Sequence, residues 1–407
     1  MVLRLTKPEG FTRLECIAVM FYVLAEVNAD LFARRIVYIL AVALLALTII
    51  PHISFRFIKN RTFVQWAIPW FLIVGISVSY SVIASQTVTS VITLGARFLV
   101  MLLLIQRING NKDMLIELLK LLIIAQLINT LYILAAVDLS ILGKVQLGRS
   151  IDDRWNSNSI GITLAYTSFA IFVLLYKKLA DKKAERIVLF LILALFVVIV
   201  LLTGSRKALF IIAFSILLYY LLSANLNSFL PRLLLIVLVL MIGWWLIMNV
   251  DALYNVLGVR VERLVNIFFF GSDIRDISVN SRRRLVQMGV EWIKAKPVFG
   301  YGMNTFDYMC GNATGQYWYA HNNYIEVAVG TGLVGIVAYY WVFIRFLRRS
   351  LSKAIESWRI VLTLAVIILV NDYGTVSYKM FTVQFCIMVM MILSEMMPQV
   401  REETISE

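Results

Sequence analysis

The 407-residue sequence holds only two histidines, and one of them, His321, stands in YAHNNYIEVAVGTGLVG at the head of an apolar run. An imidazole that titrates near neutral pH suits a general base. The competing reading is an interfacial histidine satisfied by hydrogen bonds. Arg206 and Lys207 stand in LLTGSRKALF, in a tight turn between two apolar runs. A helix starting there points free N–H groups outward and favours an anion, and the two cations add fixed positive charge. Their alternative role is to snorkel and anchor a helix end. Arg282, Arg283 and Arg284 open an amphipathic stretch in NSRRRLVQMGVEWIKAKPVFGYGMNTF, which Pro297 breaks ahead of a turn at Gly300 and Gly302. Planar guanidinium forks suit a diphosphate. Three adjacent arginines cannot share one helix face, so one or two of them point to the membrane surface and its anionic headgroups.

Other residues are weaker candidates. Arg97 lies within the apolar run TLGARFLVML, where a charge is expensive and is a functional candidate by default. A carboxylate partner such as Glu26 or Asp372 would make it structural. Asn158, in DDRWNSNSIGITLA, reads as the N-cap of the following helix. Glu326, five residues after His321, could orient a base or pair with Arg97. No H-E-x-x-H, G-x-S-x-G, phosphate-binding glycine loop or Cys/His cluster occurs. Asp152 and Asp153 are adjacent, but no acidic-x-acidic motif sits at a membrane edge. The expectation is therefore chemistry with no metal, no nucleotide and no other cofactor.

The elements that must position these residues are membrane helices. Apolar residues make up 61% of the chain and charged residues only 15%, against about 45–50% and 25% in soluble domains. A soluble enzyme, a disulfide scaffold and a disordered chain are excluded. Non-alternating apolar runs of about twenty residues argue against a barrel. Twelve such runs fall near 14–30, 36–50, 64–83, 87–105, 114–137, 159–176, 186–203, 207–223, 230–249, 322–344, 358–372 and 380–397. The predicted fold is all-α: a single polytopic membrane bundle over 1–407 of about twelve transmembrane helices, with a large extracytoplasmic loop at 250–321 carrying short helices. With the N-terminus inside, the short inner loops hold twenty Lys and Arg against eight in the outer ones. That bias puts both termini in the cytoplasm and the long loop, with His321, outside. The same bias, with no basic soluble module, accounts for the net charge of +14 without nucleic acid. Cys16, Cys310 and Cys386 form no disulfide pattern, and no removable signal peptide is evident.

Four segments together resemble the O-antigen ligase and polymerase family of bacterial membrane proteins. They are WNSNSIG, the Ser-Arg of TGSRKALF, the stretch from Arg282 through Pro297 to Gly302, and AHNNYIEVAVGTGLVGI. They keep the family's order across roughly 145 to 345. One departure is Val286, where the family usually has an aromatic four residues after its arginine, and the triple arginine blurs the match; counting back from Pro297 favours Arg282, with Arg283 and Arg284 as fallbacks. The resemblance implies a helical bundle in the bacterial inner membrane with an outward cavity roofed by loop helices. It implies a donor glycan on undecaprenyl diphosphate. It implies Arg206, Arg282 and His321 as the catalytic set. Asn158, Asn322, Lys207, Arg283, Arg284 and Arg97 are the accompanying candidates for binding diphosphate or glycan. Likeness of HNNYIEVAVGTGLVGIVAYY and the later ND-Y to repeat-unit polymerases favours an O-antigen or capsule polymerase. A ligase acting on lipid A–core is the alternative, and a flippase of lipid-linked sugars a more distant one. The expected partners are the lipid-linked oligosaccharide, the bilayer and a chain-length regulator.

Overall fold

A computed structural model describes residues 10–27, 34–53, 60–137, 147, 156–180, 182–259, 262 and 277–396. Asp152 and Asp153 lie outside the described residues, as does most of the loop stretch between 259 and 277. Fourteen α-helices of nine residues or more are described, with no strand among the described residues. They are α1 (Arg13–Val27), α2 (Arg34–Ile49), α3 (Arg61–Ile76), α4 (Ala84–Ile108), α5 (Lys112–Ala136), α6 (Ser157–Tyr176) and α7 (Lys183–Thr203). Then come α8 (Arg206–Leu222), α9 (Leu226–Asn249), α10 (Ile277–Ala295), α11 (Phe306–Thr314), α12 (Asn323–Leu351), α13 (Trp358–Asp372) and α14 (Phe381–Glu395).

Twelve of these coincide with the apolar runs, and the protein is a polytopic helical membrane protein. Seven are long and apolar enough to cross a bilayer, α3 together with the 3₁₀ turn Ser77–Tyr80 that continues it. The other five span 15 to 17 residues. At 1.5 Å per residue they reach about 23–26 Å, short of a hydrocarbon core of about 30 Å, so adjoining turns must make up the depth. The 3₁₀ turn Ile50–His52 does this for α2. α9 shows the lipid-facing extreme: Leu230, Leu234, Leu238, Met241 and Trp245 are all exposed along it, which only a hydrocarbon surround makes favourable.

Packing concentrates around α6, which touches α7 and α8, and around α12, which touches α3, α10 and α13. α12 is not a continuous rod. Gly332 adopts φ 66°, ψ −166° inside it, a region open essentially only to glycine. The residues after Pro297 fill the break. Tyr301 N–H donates to Val329 O (2.9 Å), Gly302 N–H to Gly330 O (2.8 Å), and Leu333 N–H to Pro297 O (2.9 Å). The backbone groups freed by the break are thus paired within protein, as lipid requires. Gly300 and Gly302 both have positive φ, and a Cβ at Gly300 would strike the carbonyl of Val329. The turn read from the sequence is therefore a strap that docks on an interrupted membrane helix.

Candidate functional site

The first wall of the site is the corner between α6, α7 and α8. α7 ends on Gly204 in the left-handed conformation, and Ser205 caps α8 by accepting from Ala208 N–H. Ser205 Oγ in turn donates to Asn158 Oδ1 at 2.8 Å. Asn158 is therefore not the cap of α6. That cap is Asn156, whose side chain accepts from Asn158 N–H and Ser159 N–H; Asn158, inside the first turn, is left to tie α6 to the start of α8. Gly161 lets the elements approach, since a Cβ there would lie 2.9 Å from Ala208 and from Thr203 Oγ1. Arg206 and Lys207 thus begin α8 at a rigid, crowded corner.

The second wall is the His-Asn-Asn run that starts α12. Asn322 is its N-cap, accepting from Ile325 N–H, and its amide donates to Tyr373 O at 3.2 Å. One bond at each end of this side chain holds the head of α12 against the Tyr373 carbonyl. Asn323 is wholly buried. It accepts from Ser377 and Tyr378 N–H at 3.0 Å each and donates to Tyr340 Oη (2.7 Å) and Asp372 Oδ2 (3.1 Å). Together the two asparagines staple the 373–380 loop to the head of α12. Lys207 fastens the same loop from the other side, donating to Gly374 O and, at 2.9 Å, to Thr375 Oγ1.

His321 sits between these anchors with φ 53°, a left-handed backbone that costs a non-glycine residue free energy and clusters at functional sites. Glu326 does not pair with Arg97. It is buried and accepts from Ala320 N–H at 2.9 Å, which holds the turn that presents His321. The imidazole lies 4.0 Å from the Tyr319 ring, and its buried Nδ1 has no hydrogen-bond partner.

The third wall is α10. Leu285 packs in a small core with Phe306, Cys310, Ala320 and Val329, and a Cβ on Gly289 would strike Ile325. Arg282 shares that face by its i, i+3, i+7 spacing with Leu285 and Gly289. It is half-buried, while Arg283 and Arg284 are exposed. The packing periodicity thus turns Arg282 toward α12 and leaves Arg283 and Arg284 exposed on the helix surface.

The three walls meet electrostatically. Burial first, then the charges of Arg282 and Lys207, pull the His321 pKa down from 6.5 to about 4. Lys207 feels both Arg282 and Arg206, and Arg282 also acts on Tyr319, whose phenol is pushed up by burial. Coulomb interactions fade quickly with distance and hydration, so these couplings gather Lys207, Arg282 and His321 into one neighbourhood, with Arg206 next to Lys207, at the end of the bundle where α8 and α12 begin. Arg282 makes no ion pair with a carboxylate among the described residues. Positive charge at Arg282 and Lys207 beside the His321 imidazole favours an anion.

Arg97 does not join them. It clasps Glu26 with two hydrogen bonds (2.9 and 2.7 Å) and donates to Lys379 O at 2.6 Å. Tyr22 and Tyr38 hydroxyls also donate to Glu26. With its donors used this way Arg97 is a structural cation, the second of its two sequence readings, with Glu26 as the partner.

Residues 189–340 match the O-antigen ligase family. The matching family model is described as Wzy_C, O-Antigen ligase, and it spans α7 to the middle of α12. This agrees with the resemblance drawn from the four motifs. The matched segment contains Arg206, Lys207, Arg282 and His321, while Asn158 and the 373–380 loop fall outside it. No curated protein matches the chain. The residues that sequence reasoning missed are Asn323, Tyr319 and the loop. The signal for the loop was the ND-Y sequence, which supplies Asp372 to Asn323 and the Tyr373 carbonyl to Asn322.

Proposed function

We propose that this protein is a membrane glycosyltransferase of the O-antigen ligase and polymerase type, and specifically a polymerase. It would pass the growing glycan from undecaprenyl diphosphate to a hydroxyl of an incoming lipid-linked repeat unit. The observation that supports this reading best is the electrostatic coupling of Arg282 and Lys207 to His321, with Arg206 coupled in turn to Lys207. The loop charge bias favours placing this cluster on the outer face of the cytoplasmic membrane, with both termini inside.

In the proposed reaction the acceptor oxygen attacks the anomeric carbon as the bond to the diphosphate oxygen breaks. The electron pair leaves on undecaprenyl diphosphate, and the acceptor proton goes to an imidazole nitrogen of His321. Direct displacement inverts the anomeric centre. The leaving group is already activated, so no nucleotide is consumed. Arg206 and Arg282 would bind the charge that builds on it; removing one comparable preorganised donor costs about 10²–10³ in rate. General-base catalysis contributes about 10²–10⁴. A pKa held near 4 keeps His321 unprotonated and able to accept. The arriving diphosphate offsets Arg282 and Lys207 and so restores basicity at the moment of reaction.

The test is transfer by purified protein with a synthetic lipid-linked repeat unit, alongside polymer formation in cells. Arg206→Ala, Arg282→Ala and His321→Ala should each abolish polymer at normal membrane levels. Polymer of ordinary length in the His321→Ala strain would exclude it as the base. Loss of a polymerase leaves single repeat units on the final acceptor, whereas loss of a ligase leaves long glycan on undecaprenyl diphosphate.

A further inference from the structure

At the opposite end of the bundle from the cationic corner, a narrow crevice opens between α5, α6, α13 and α14. α6 links the two ends: Asn158 ties its first turn to Ser205, and Lys177 follows its last residue, about 28 Å away at 1.5 Å per residue. Lys112, Lys177 and Ser357 stand at the mouth of the crevice, and Leu122, Tyr166 and Cys386 at its floor. From Lys112 to Leu122 the α5 wall is about 15 Å long, half of a hydrocarbon core of about 30 Å. The crevice is therefore one leaflet deep.

Between mouth and floor the walls are apolar, built from side chains such as Leu115, Leu119, Phe169, Val173, Leu364 and Val389. The free volume is about 80 Å³. One water needs roughly 10–15 Å³, but water stays in a cavity only where several polar partners hold it. Hydrocarbon is the filling that these walls accept, and a slot this narrow and deep suits a single chain.

The mouth selects the head of that chain. Lys177 is half-buried, and its ammonium makes no hydrogen bond or ion pair among the described residues. Burial does most to lower its pKa; Glu356 opposes the shift, while Lys112 and Arg359 add to it. Lys112 lies 3.6 Å from Glu356, with both side chains exposed. Arg359 donates to Leu222 O at 2.9 Å and stacks on Trp358, an aromatic of the kind that marks a membrane–water interface. Three cations face one carboxylate, so the mouth is positive, and Lys177 is the cation without an anion of its own.

We propose that this crevice binds one acyl chain of an anionic phospholipid, whose phosphate meets Lys177 at the mouth. The inference does not rest on the glycosyltransferase reading. The loop charge bias favours the cytoplasmic leaflet as the source of the lipid. The second acyl chain stays in the bilayer, because the slot has room for one.

The test is photo-crosslinking of the full-length protein in phosphatidylcholine nanodiscs. Each disc carries a trace of phosphatidylglycerol or of phosphatidylcholine with a diazirine midway along one chain, and labelled peptides are mapped by mass spectrometry. The exposed apolar face of α9 is the internal control, since any lipid reaches it. Phosphatidylglycerol should label the crevice faces of α5, α6 and α14 about fivefold more than phosphatidylcholine, the weight of one basic residue at an anionic headgroup. α9 should label equally with both. Lys177→Gln should abolish the crevice preference. Ala170→Phe, which fills the slot from a half-buried position on α6, should abolish crevice labelling and leave α9 labelled. The inference is overturned if the crevice stays unlabelled in the wild type, if both lipids label it equally, or if the preference survives Lys177→Gln. It is also overturned if undecaprenyl phosphate suppresses the label at a lower mole fraction than unlabelled phosphatidylglycerol, which would hand the crevice to a polyprenyl chain.

Discussion

The titration of His321 reports directly on whether the cations and the imidazole share a pocket. An ordinary histidine of pKa 6.5 is about three-quarters protonated at pH 6. His321, at about 4, is about 1% protonated there. Burial is the largest cause and the charge of Arg282 the next. Arg282→Gln should therefore raise the pKa while leaving it below 6.5, because burial and Lys207 remain. The chain has only two histidines, so His52→Gln leaves a single imidazole signal to follow by NMR from pH 3.5 to 8. The acid limb of kcat/KM for transfer should track the same pKa. Because the folded protein holds this group below its unfolded value, unfolding takes up a proton between about pH 4 and 6.5. Stability from His321 is thus full above that window and falls as pH drops through it. Titration of His321 at 6.5 or above, or a pKa indifferent to Arg282→Gln, would refute the shared pocket and the mechanism built on it.

Three further outcomes are expected. Arg97→Leu strands the buried Glu26 carboxylate and should cost about 3–5 kcal/mol, seen as a lower melting temperature in detergent. The Arg97→Leu, Glu26→Leu double variant should recover most of that loss, and a normal melting temperature in the single variant would contradict the structural role. Gly332→Ala forces a side chain into a glycine-only conformation at a cost of about 1–3 kcal/mol and meets the Val298 carbonyl; unchanged thermal stability would show that the strap does not dock there. Among the three adjacent arginines, only Arg282→Ala should cut transfer by about 10²–10³, with Arg283→Ala and Arg284→Ala close to wild type in the same assay.

The helical membrane architecture was legible in the sequence because lipid leaves the backbone almost no choice. Every apolar run must satisfy its own N–H and C=O groups, so composition and run length alone placed twelve helices within a few residues. Arg206, Arg282 and His321 stood out for a related reason: polar groups are costly near lipid, and few are present. Which of them meet was decided by tertiary packing. Asn158 and Asn156 are both good caps by type, and only the closeness of α6 to Ser205 separates their roles. Arg97 could be read as functional or as paired with Glu26 or Asp372, and only packing across 71 positions chose Glu26. The triple arginine was ambiguous until the face carrying Leu285 and Gly289 was seen to pack on α12. Gly332 reads as one more glycine in AVGTGLVG; the broken helix exists because a strap thirty residues upstream supplies the hydrogen bonds that α12 gives up. A sequence records what each residue can do, whereas pairing across tens to hundreds of positions depends on which surfaces bury one another.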